Sequence, residues 1–129
     1  SALKEIQIDR YSAISPAGVS VAFVDPEHKW DGWKAVLTAP GAWVQYNKVD
    51  FGEKPLRAVT VRAASSTGGG IEIRVDGADG PLIAQVDIAN NPDWNLTDAP
   101  LSERPAGIHD LYVILKGAAN VGIDWMRFE

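Results

Sequence analysis

The amino-acid sequence predicts an all-β fold, a single β-sandwich, on three grounds. Glycine and proline recur in turn-forming combinations along the chain, for example at residues 40–41, 76–81 and 90–92, and at this density they interrupt any long helix. The segments between these turns are short and rich in valine, isoleucine and aromatic residues, which is typical of a sandwich or barrel. No segment shows helical periodicity, and no internal repeat or linker divides the sequence.

Alternation of apolar and polar residues predicts half-buried antiparallel strands. Residues 71–75 place three apolar side chains on one face and Glu72 and Arg74 on the other. Residues 82–88 alternate in the same way. The turn-forming residues 76–81 join these two segments, so we expect a β-hairpin.

Other segments complete the predicted sheets. Residues 111–115 are apolar on both faces, so we expect this strand in the middle of a sheet, and residues 4–9 and 123–129 are expected to form the first and last strands. The spacing of the turns predicts roughly eight to ten strands. Core positions are predicted for Trp43, Val59, Val61, Ile71, Ile73, Val75, Leu111, Val113 and Trp125.

Length and composition restrict the classes of function. The 129 residues suit a single domain that spans residues 1–129. The net charge is −5 and the lysines and arginines are scattered, which argues against nucleic acid and anionic membranes as partners. No apolar run reaches the length of a transmembrane span. The chain has no cysteine, which excludes a disulfide framework, thiolate zinc sites and cysteine nucleophiles.

Tryptophan is the unusual residue of this composition, with five tryptophans against three phenylalanines and three tyrosines. A sugar has apolar C–H faces ringed by hydroxyl groups, so its site needs aromatic plates together with polar groups. Residues 28–34 offer this mixture in one loop-like stretch with Trp30, Asp31 and Trp33, and Trp94 lies among polar residues in another. We therefore predict a sugar site on the loops that carry these residues. The alternative is that the indoles are buried and only hold the loops in place.

The sequence offers no catalytic constellation. His28 and His109 are the two histidines, and a catalytic dyad or zinc site would need partners that the sequence does not assemble around them. Most of the 17 acidic residues occupy turns or the outer faces of strands rather than a cleft. We expect a chain without enzyme activity and without catalytic residues, and a small glycosidase or lyase is the alternative.

Several strings, taken in order, carry a family resemblance. They are AWVQY and VDFG at residues 42–46 and 49–52, VTVRAA and IEIRVD at residues 59–64 and 71–76, GPLIA at residues 80–84, HDLYV and KG at residues 109–113 and 116–117, and IDWMRF at residues 123–128. Together they resemble the family 6 carbohydrate-binding modules, appendages of bacterial polysaccharide-degrading enzymes. Residues 30–46 resemble modules of multidomain glycosidases of the family 2 type.

This resemblance implies a jelly-roll sandwich of the galactose-binding-like type. It also implies a secreted or periplasmic bacterial protein whose partners are a poly- or oligosaccharide and a covalently attached catalytic domain. Two sugar sites are implied, one in loops at the end of the sandwich and one on the concave face of a sheet.

A structural calcium ion is implied as well. Gln7, Asp9 and Asp124 resemble the side chains that hold it, and calcium takes six to eight hard oxygen ligands. An ion at this position would tie the first strand to the last. The alternative is that Gln7 and Asp9 are surface polar residues that alternate with Ile6 and Ile8.

The loop site departs from the family pattern. Counting places the family's aromatic at Leu37 and its asparagine at Gly122, whereas Trp94 occupies the position of the second aromatic. We expect a rebuilt site in which Asn120 replaces the asparagine and a tryptophan of residues 28–34 replaces the missing aromatic. The leading prediction is therefore a non-catalytic carbohydrate-binding module. The alternative is a purely structural domain that binds no ligand.

Overall fold

A computed structural model of the chain describes residues 6–7, 11, 13–15, 17–23, 33–54, 56–117 and 119–129. The described residues form eleven strands, two of them only two residues long, where the sequence predicted eight to ten. The strands are β1 (Ile6–Gln7), β2 (Ala13–Ile14), β3 (Val19–Phe23), β4 (Trp33–Leu37), β5 (Trp43–Asp50), β6 (Ala58–Ser65), β7 (Gly69–Val75), β8 (Leu82–Ile88), β9 (Asn91–Pro100), β10 (Ile108–Lys116) and β11 (Val121–Phe128). This part of the chain contains no helix that is long and apolar enough to cross a membrane.

The strands form two antiparallel sheets in a jelly-roll arrangement. The first sheet has the order β3-β4-β11-β6-β9, with β1 also paired to β11, and the second has the order β2-β5-β10-β7-β8. Strand β4 pairs with β11, β5 with β10, β6 with β9 and β7 with β8, so that successive pairs alternate between the two sheets. This nested pairing places the two sheets face to face around one core and confirms the predicted β-sandwich.

Most of the strands predicted from alternation are confirmed. The predicted hairpin is the antiparallel pair β7–β8, and the strand that is apolar on both faces is β10, which lies between β5 and β7. The predicted last strand is β11, in the interior of the first sheet. Of the predicted first strand, the structure describes β1, which pairs with β11.

The core lies between the sheets and is filled by alternate residues of the long strands. Seven of the nine predicted core side chains are buried: Val59, Val61, Ile71, Ile73, Val75, Leu111 and Val113. The prediction is wrong for Trp43 and Trp125, which are only half-buried. Their neighbours Val44 and Met126 are the fully buried residues, so both indoles lie on outer faces of the sheets.

Strand β9 was not predicted. It contains prolines and several polar residues, which are unfavourable in a central strand. It lies at the edge of the first sheet, where it pairs only with β6, and an edge strand tolerates proline because one side needs no hydrogen-bond donor. This strand matters for function because it carries Trp94.

Candidate functional site

A pocket of about 260 Å³ lies on the outer face of the first sheet, where β4, β11, β6 and β9 lie side by side. Its wall includes Lys34 and Val36 from β4, Gly122 from β11, Trp94 from β9 and Asn120 from the loop before β11. On β4, Lys34 and Val36 share this face because they alternate with the buried residues Ala35 and Leu37. The pocket therefore brings together Trp94 and Asn120, two residues that the sequence predicted for a sugar site.

Gly122 makes room for the pocket. A β-carbon built on Gly122 would lie 3.6 Å from Cη2 of Trp94 and 3.5 Å from the carbonyl oxygen of Ala64, which are ordinary van der Waals distances. The first carbon of a side chain is thus tolerated, but a longer side chain would extend beside the indole. The position where the family carries asparagine does lie in the pocket wall.

Leu37 does not lie in the pocket. It is fully buried in the core, whereas Val36 lines the pocket and pairs with Gly122 across the sheet. Counting along the sequence therefore missed the pocket wall by one residue, and in a strand an error of one residue exchanges the two faces. On β4, the pocket wall opposite Trp94 is formed by Val36 and Lys34.

Trp94 is supported from outside the pocket by Arg62. The guanidinium carbon of Arg62 lies 5.0 Å from the centroid of the indole, a cation–π distance. Nη1 of the same arginine donates to Oδ2 of Asp124 over 2.5 Å, and Asp124 is buried. A buried carboxylate thus positions the arginine, and the arginine positions the ring.

Asn120 is held through its main chain. Its backbone N–H donates to Oγ1 of Thr67 over 3.0 Å, and its carbonyl oxygen accepts a hydrogen bond from the hydroxyl of Ser65. These bonds fix an exposed loop residue at the edge of the pocket. The side-chain amide takes no part in either bond.

The expectation that loops carry the tryptophans is wrong for two of them. Trp94 lies within strand β9, and the backbone of Trp33 begins strand β4 opposite Phe23. Trp30, Asp31 and the side chain of Trp33 lie outside the described residues. Their role in binding stays a prediction.

The predicted calcium ligands fall partly within the structure. Gln7 on β1 pairs with Trp125 on β11, the residue after the buried Asp124, so both oxygen-bearing side chains belong to one pair of strands. Asp9 lies outside the described residues. Among the residues that the structure describes, no group of three histidine, cysteine, aspartate or glutamate side chains could hold a metal ion. Gln7 and Asp124 thus fit part of the implied ligand set, and Asp124 also binds Arg62.

A second aromatic surface lies on the outer face of the second sheet. The rings of Trp43 and Tyr112 meet edge to face with centroids 5.8 Å apart. Arg74 and Glu72 form an ion pair at 2.8 Å on the adjacent strand. Sequence reasoning missed this surface because it assigned Trp43 to the core. The polar residues Gln45 and Asn47 share a face with Trp43 along the strand, and this alternation was the signal that could have placed the indole on the outer face.

Two curated relatives are arabinoxylan arabinofuranohydrolases. The chain is 25% identical over 83 residues to the enzyme of Paenibacillus polymyxa, which covers 62% of the chain and 13% of the relative. It is 29% identical over 80 residues to that of Bacillus subtilis (strain 168), which covers 60% of the chain and 15% of the relative. The chain thus matches only a small part of each enzyme. A family 2 parent stays a prediction.

Solved structures share the whole fold. A family 6 module from Clostridium cellulolyticum in complex with xylose superposes with a TM-score of 0.86 at 28% identity and covers 99% of this chain and 98% of that one. A β-1,3-glucan-binding family 6 module from Bacillus halodurans gives a TM-score of 0.85, also at 28% identity, over 99% and 96%. A family 36 module in complex with calcium and xylotriose shares the fold at 14% identity, with a TM-score of 0.73.

The family comparison covers nearly the whole chain. The model of the carbohydrate-binding modules of family 6 matches residues 16–129. This agrees with the jelly-roll sandwich and with the ordered strings in the sequence. The chain therefore belongs to the family 6 carbohydrate-binding modules, which are non-catalytic accessory domains of glycoside hydrolases.

Proposed function

We propose that this module holds an attached polysaccharide-degrading enzyme on its substrate by stacking a sugar ring on Trp94. The observation that supports this proposal is the pocket itself, in which the indole forms one wall of a cavity of about 260 Å³. Pockets for small molecules start at about 300 Å³, so this one suits a single sugar unit or the end of a chain. An open-ended groove for a long chain would be larger.

The chemistry of the wall fits a sugar ring. The indole of Trp94 offers a flat apolar face to C–H groups, and Asn120 brings an amide that both donates and accepts hydrogen bonds. Trp30 or Trp33 supplies a second aromatic plate in this proposal. Both tryptophans enter from the sequence, since Trp30 precedes β4 and Trp33 is its first residue, and β4 carries the opposite wall.

The relatives suggest the class of sugar. The curated ones are named arabinoxylan arabinofuranohydrolases, and one of the similar solved modules was crystallised with xylose. We therefore propose arabinoxylan as the substrate of the parent enzyme and a xylan-type unit as the ligand, on a protein that a bacterium secretes. A second similar module binds β-1,3-glucan, which makes that polymer the matched alternative.

Affinity electrophoresis of the isolated module tests this proposal. Native gels that contain arabinoxylan, β-1,3-glucan or no polysaccharide are run with a non-binding protein as reference. We expect arabinoxylan to retard the module. Retardation by β-1,3-glucan alone would identify that polymer, rather than a xylan, as the ligand. No retardation on any glycan would favour a structural domain without a ligand.

A second candidate site is favoured by one observation, the aromatic pair Trp43–Tyr112 on the outer face of the second sheet. The indole is half-buried, and the polar residues Gln45 and Glu72 lie on the same sheet near it. Such a surface suits an internal stretch of a polysaccharide. The substitution Trp43→Ala separates this site from the pocket.

The calcium site is also part of the proposal. Gln7, Asp9 and Asp124 would supply side-chain oxygens to a Ca²⁺ ion between β1 and β11. Bound there, the ion would stabilise the pairing of a two-residue strand with the rest of its sheet. It would not contact the sugar in this proposal, because neither Gln7 nor Asp124 lines the pocket.

A further inference from the structure

The described residues that line the pocket carry a charge opposite in sign to that of the chain. The chain has 17 acidic and 12 basic residues, yet none of the described residues that line the pocket carries a carboxylate. Lys34 is the charged residue among them. Asp93 precedes Trp94 in the sequence, but it is exposed and is not part of the wall.

Two arginines on the outer faces of the sheets form ion pairs, whereas Lys34 forms none with a described residue. Arg62 binds Asp124 at 2.5 Å and Arg74 binds Glu72 at 2.8 Å. None of the described residues forms an ion pair with Lys34. Its charge is therefore not neutralised by a described neighbour, and it lies on the same face of β4 as Val36, two residues further along.

The surroundings of Lys34 strengthen the attraction of an anion. Val36, Ala64 and the indole of Trp94 supply apolar surface in the same pocket wall as Lys34. Charges attract more strongly where the local dielectric constant is low, and a hydrogen bond between two charged groups is about twice as strong as a neutral one. Lysine is a compact point charge on a flexible stem, so it suits a carboxylate and a sulfate equally.

We propose that the pocket selects an anionic sugar unit, a uronate or a sulfate ester, whose charged group pairs with the ammonium of Lys34 while its ring stacks on Trp94. This inference rests on the proposed function and narrows the ligand of the same pocket: a neutral xylan-type unit stacks on Trp94, and a unit with an acidic group binds more tightly. The stacking holds any pyranose of suitable size. Lys34 raises the affinity for a charged pyranose above that for a neutral pyranose.

Three matched ligands test the proposal: methyl β-D-glucoside, methyl β-D-glucuronide and methyl β-D-glucoside 6-sulfate. They share one ring and differ only in the group at C6. NMR titration of the native module at pH 7 is expected to give about tenfold tighter binding of at least one charged ligand than of the neutral glucoside, as a charge-assisted bond implies. The two charged ligands show which anion is preferred, and the preference should weaken as salt is added.

The control variant is Lys34→Met, which keeps the length of the side chain and removes its charge. We expect this variant to bind the three ligands with equal affinity and to melt at an unchanged temperature. Equal binding of charged and neutral ligands by the native module would overturn the inference and leave the proposed function intact. A charge preference that persists in Lys34→Met would refute the role of this lysine. No binding of any ligand, or of any polysaccharide on the gels, would reject both proposals.

Discussion

The guanidinium carbon of Arg62 lies 5.0 Å from the centroid of the Trp94 ring. The same guanidinium binds the buried carboxylate of Asp124, so three strands, β11, β6 and β9, are linked by one chain of contacts that ends at the pocket. An aromatic plate held in this way loses little conformational freedom when a ligand stacks on it, and the cost of ordering on binding is reduced. The contact connects the stability of the first sheet with the function of the site.

We expect Arg62→Met to reduce both stability and sugar affinity. The substitution removes the charged partner of a buried carboxylate, and losses of this kind cost about 1–3 kcal/mol of unfolding free energy. The arginine side chain is 31% exposed, so we expect a value at the lower end. Urea denaturation measures the change, and the variant Arg62→Met/Asp124→Asn completes a double-mutant cycle. Additive effects in this cycle would show that the two residues do not act together.

Filling the pocket from its floor should abolish binding without touching Trp94. Gly122→Leu adds a side chain whose first carbon fits at 3.6 Å from the indole and whose remaining carbons occupy the space of the ligand. We expect near-native melting and a loss of polysaccharide retention on native gels. Gly70→Leu on the second sheet is the matched control, because a β-carbon there meets its nearest atom at 3.7 Å, an ordinary van der Waals distance as at Gly122. Retention that survives Gly122→Leu would place the sugar elsewhere.

Calcium should raise the melting temperature of the module, because a ligand that binds only the folded state stabilises it. We expect EDTA to lower the melting temperature and added Ca²⁺ to restore it, with sugar affinity measured before and after. Asp124→Ala alone is ambiguous, since it also breaks the ion pair with Arg62. Gln7→Ala and Asp9→Asn avoid this difficulty and should remove the response to calcium. A melting temperature that EDTA leaves unchanged would show that the ion is absent.

The stability of the module should depend on the protonation of His109. Nδ1 lies 2.9 Å and 3.1 Å from the two carboxylate oxygens of Asp76, and Nε2 lies 2.8 Å from the carbonyl oxygen of Ala106. Both ring nitrogens face hydrogen-bond acceptors, so the protonated imidazole, which carries an N–H on each nitrogen, donates to both. The hydrogen bond to Asp76 raises the pKa of His109 above its ordinary value of 6.5, against the smaller opposing effect of partial burial.

A raised pKa fixes the direction of the pH effect. The stabilisation that the protonated His109 gains from Asp76 is fully present below pH 6.5. It is lost as the pH rises through the higher pKa of His109 in the folded state. We expect the unfolding free energy to contain a component that falls from pH 6 towards pH 8 in the native module and is missing in His109→Gln. Asp76→Asn should remove the same component. Identical pH profiles of all three proteins would contradict this account.

Much of the fold was accessible from the sequence because alternation is a local signal. Strands β7 and β8 alternate clearly between apolar and polar residues, β10 contains a run that is apolar on both faces, and all three were predicted near their observed positions. Strand β9 was missed because its pairing with β6 depends on tertiary context rather than on its own composition. Trp43 and Trp125 were assigned to the core because a large apolar residue in a strand does not reveal which face it occupies.

The site could be predicted only in part, because it is built from residues distant in the chain. Trp94 and Asn120 were identified, and the structure brings them into one pocket. Lys34, Val36 and the support from Arg62 depend on the register between strands, and the error of one residue at Leu37 shows how the register decides the composition of the wall. No pattern within β4 alone indicates which of its faces meets Trp94.

The most direct test of the account is titration of Trp94→Ala with the polysaccharide that retains the native module. Removal of a stacking indole costs about 1–3 kcal/mol, and 1.4 kcal/mol already corresponds to tenfold. We predict a loss of affinity of about fivefold or more in Trp94→Ala, a loss in a Trp30/Trp33 double alanine variant, and native affinity in Trp43→Ala, with all three proteins folded by melting analysis. Undiminished affinity in the first two variants, together with a loss in Trp43→Ala, would contradict the account and assign the sugar to the outer face of the second sheet.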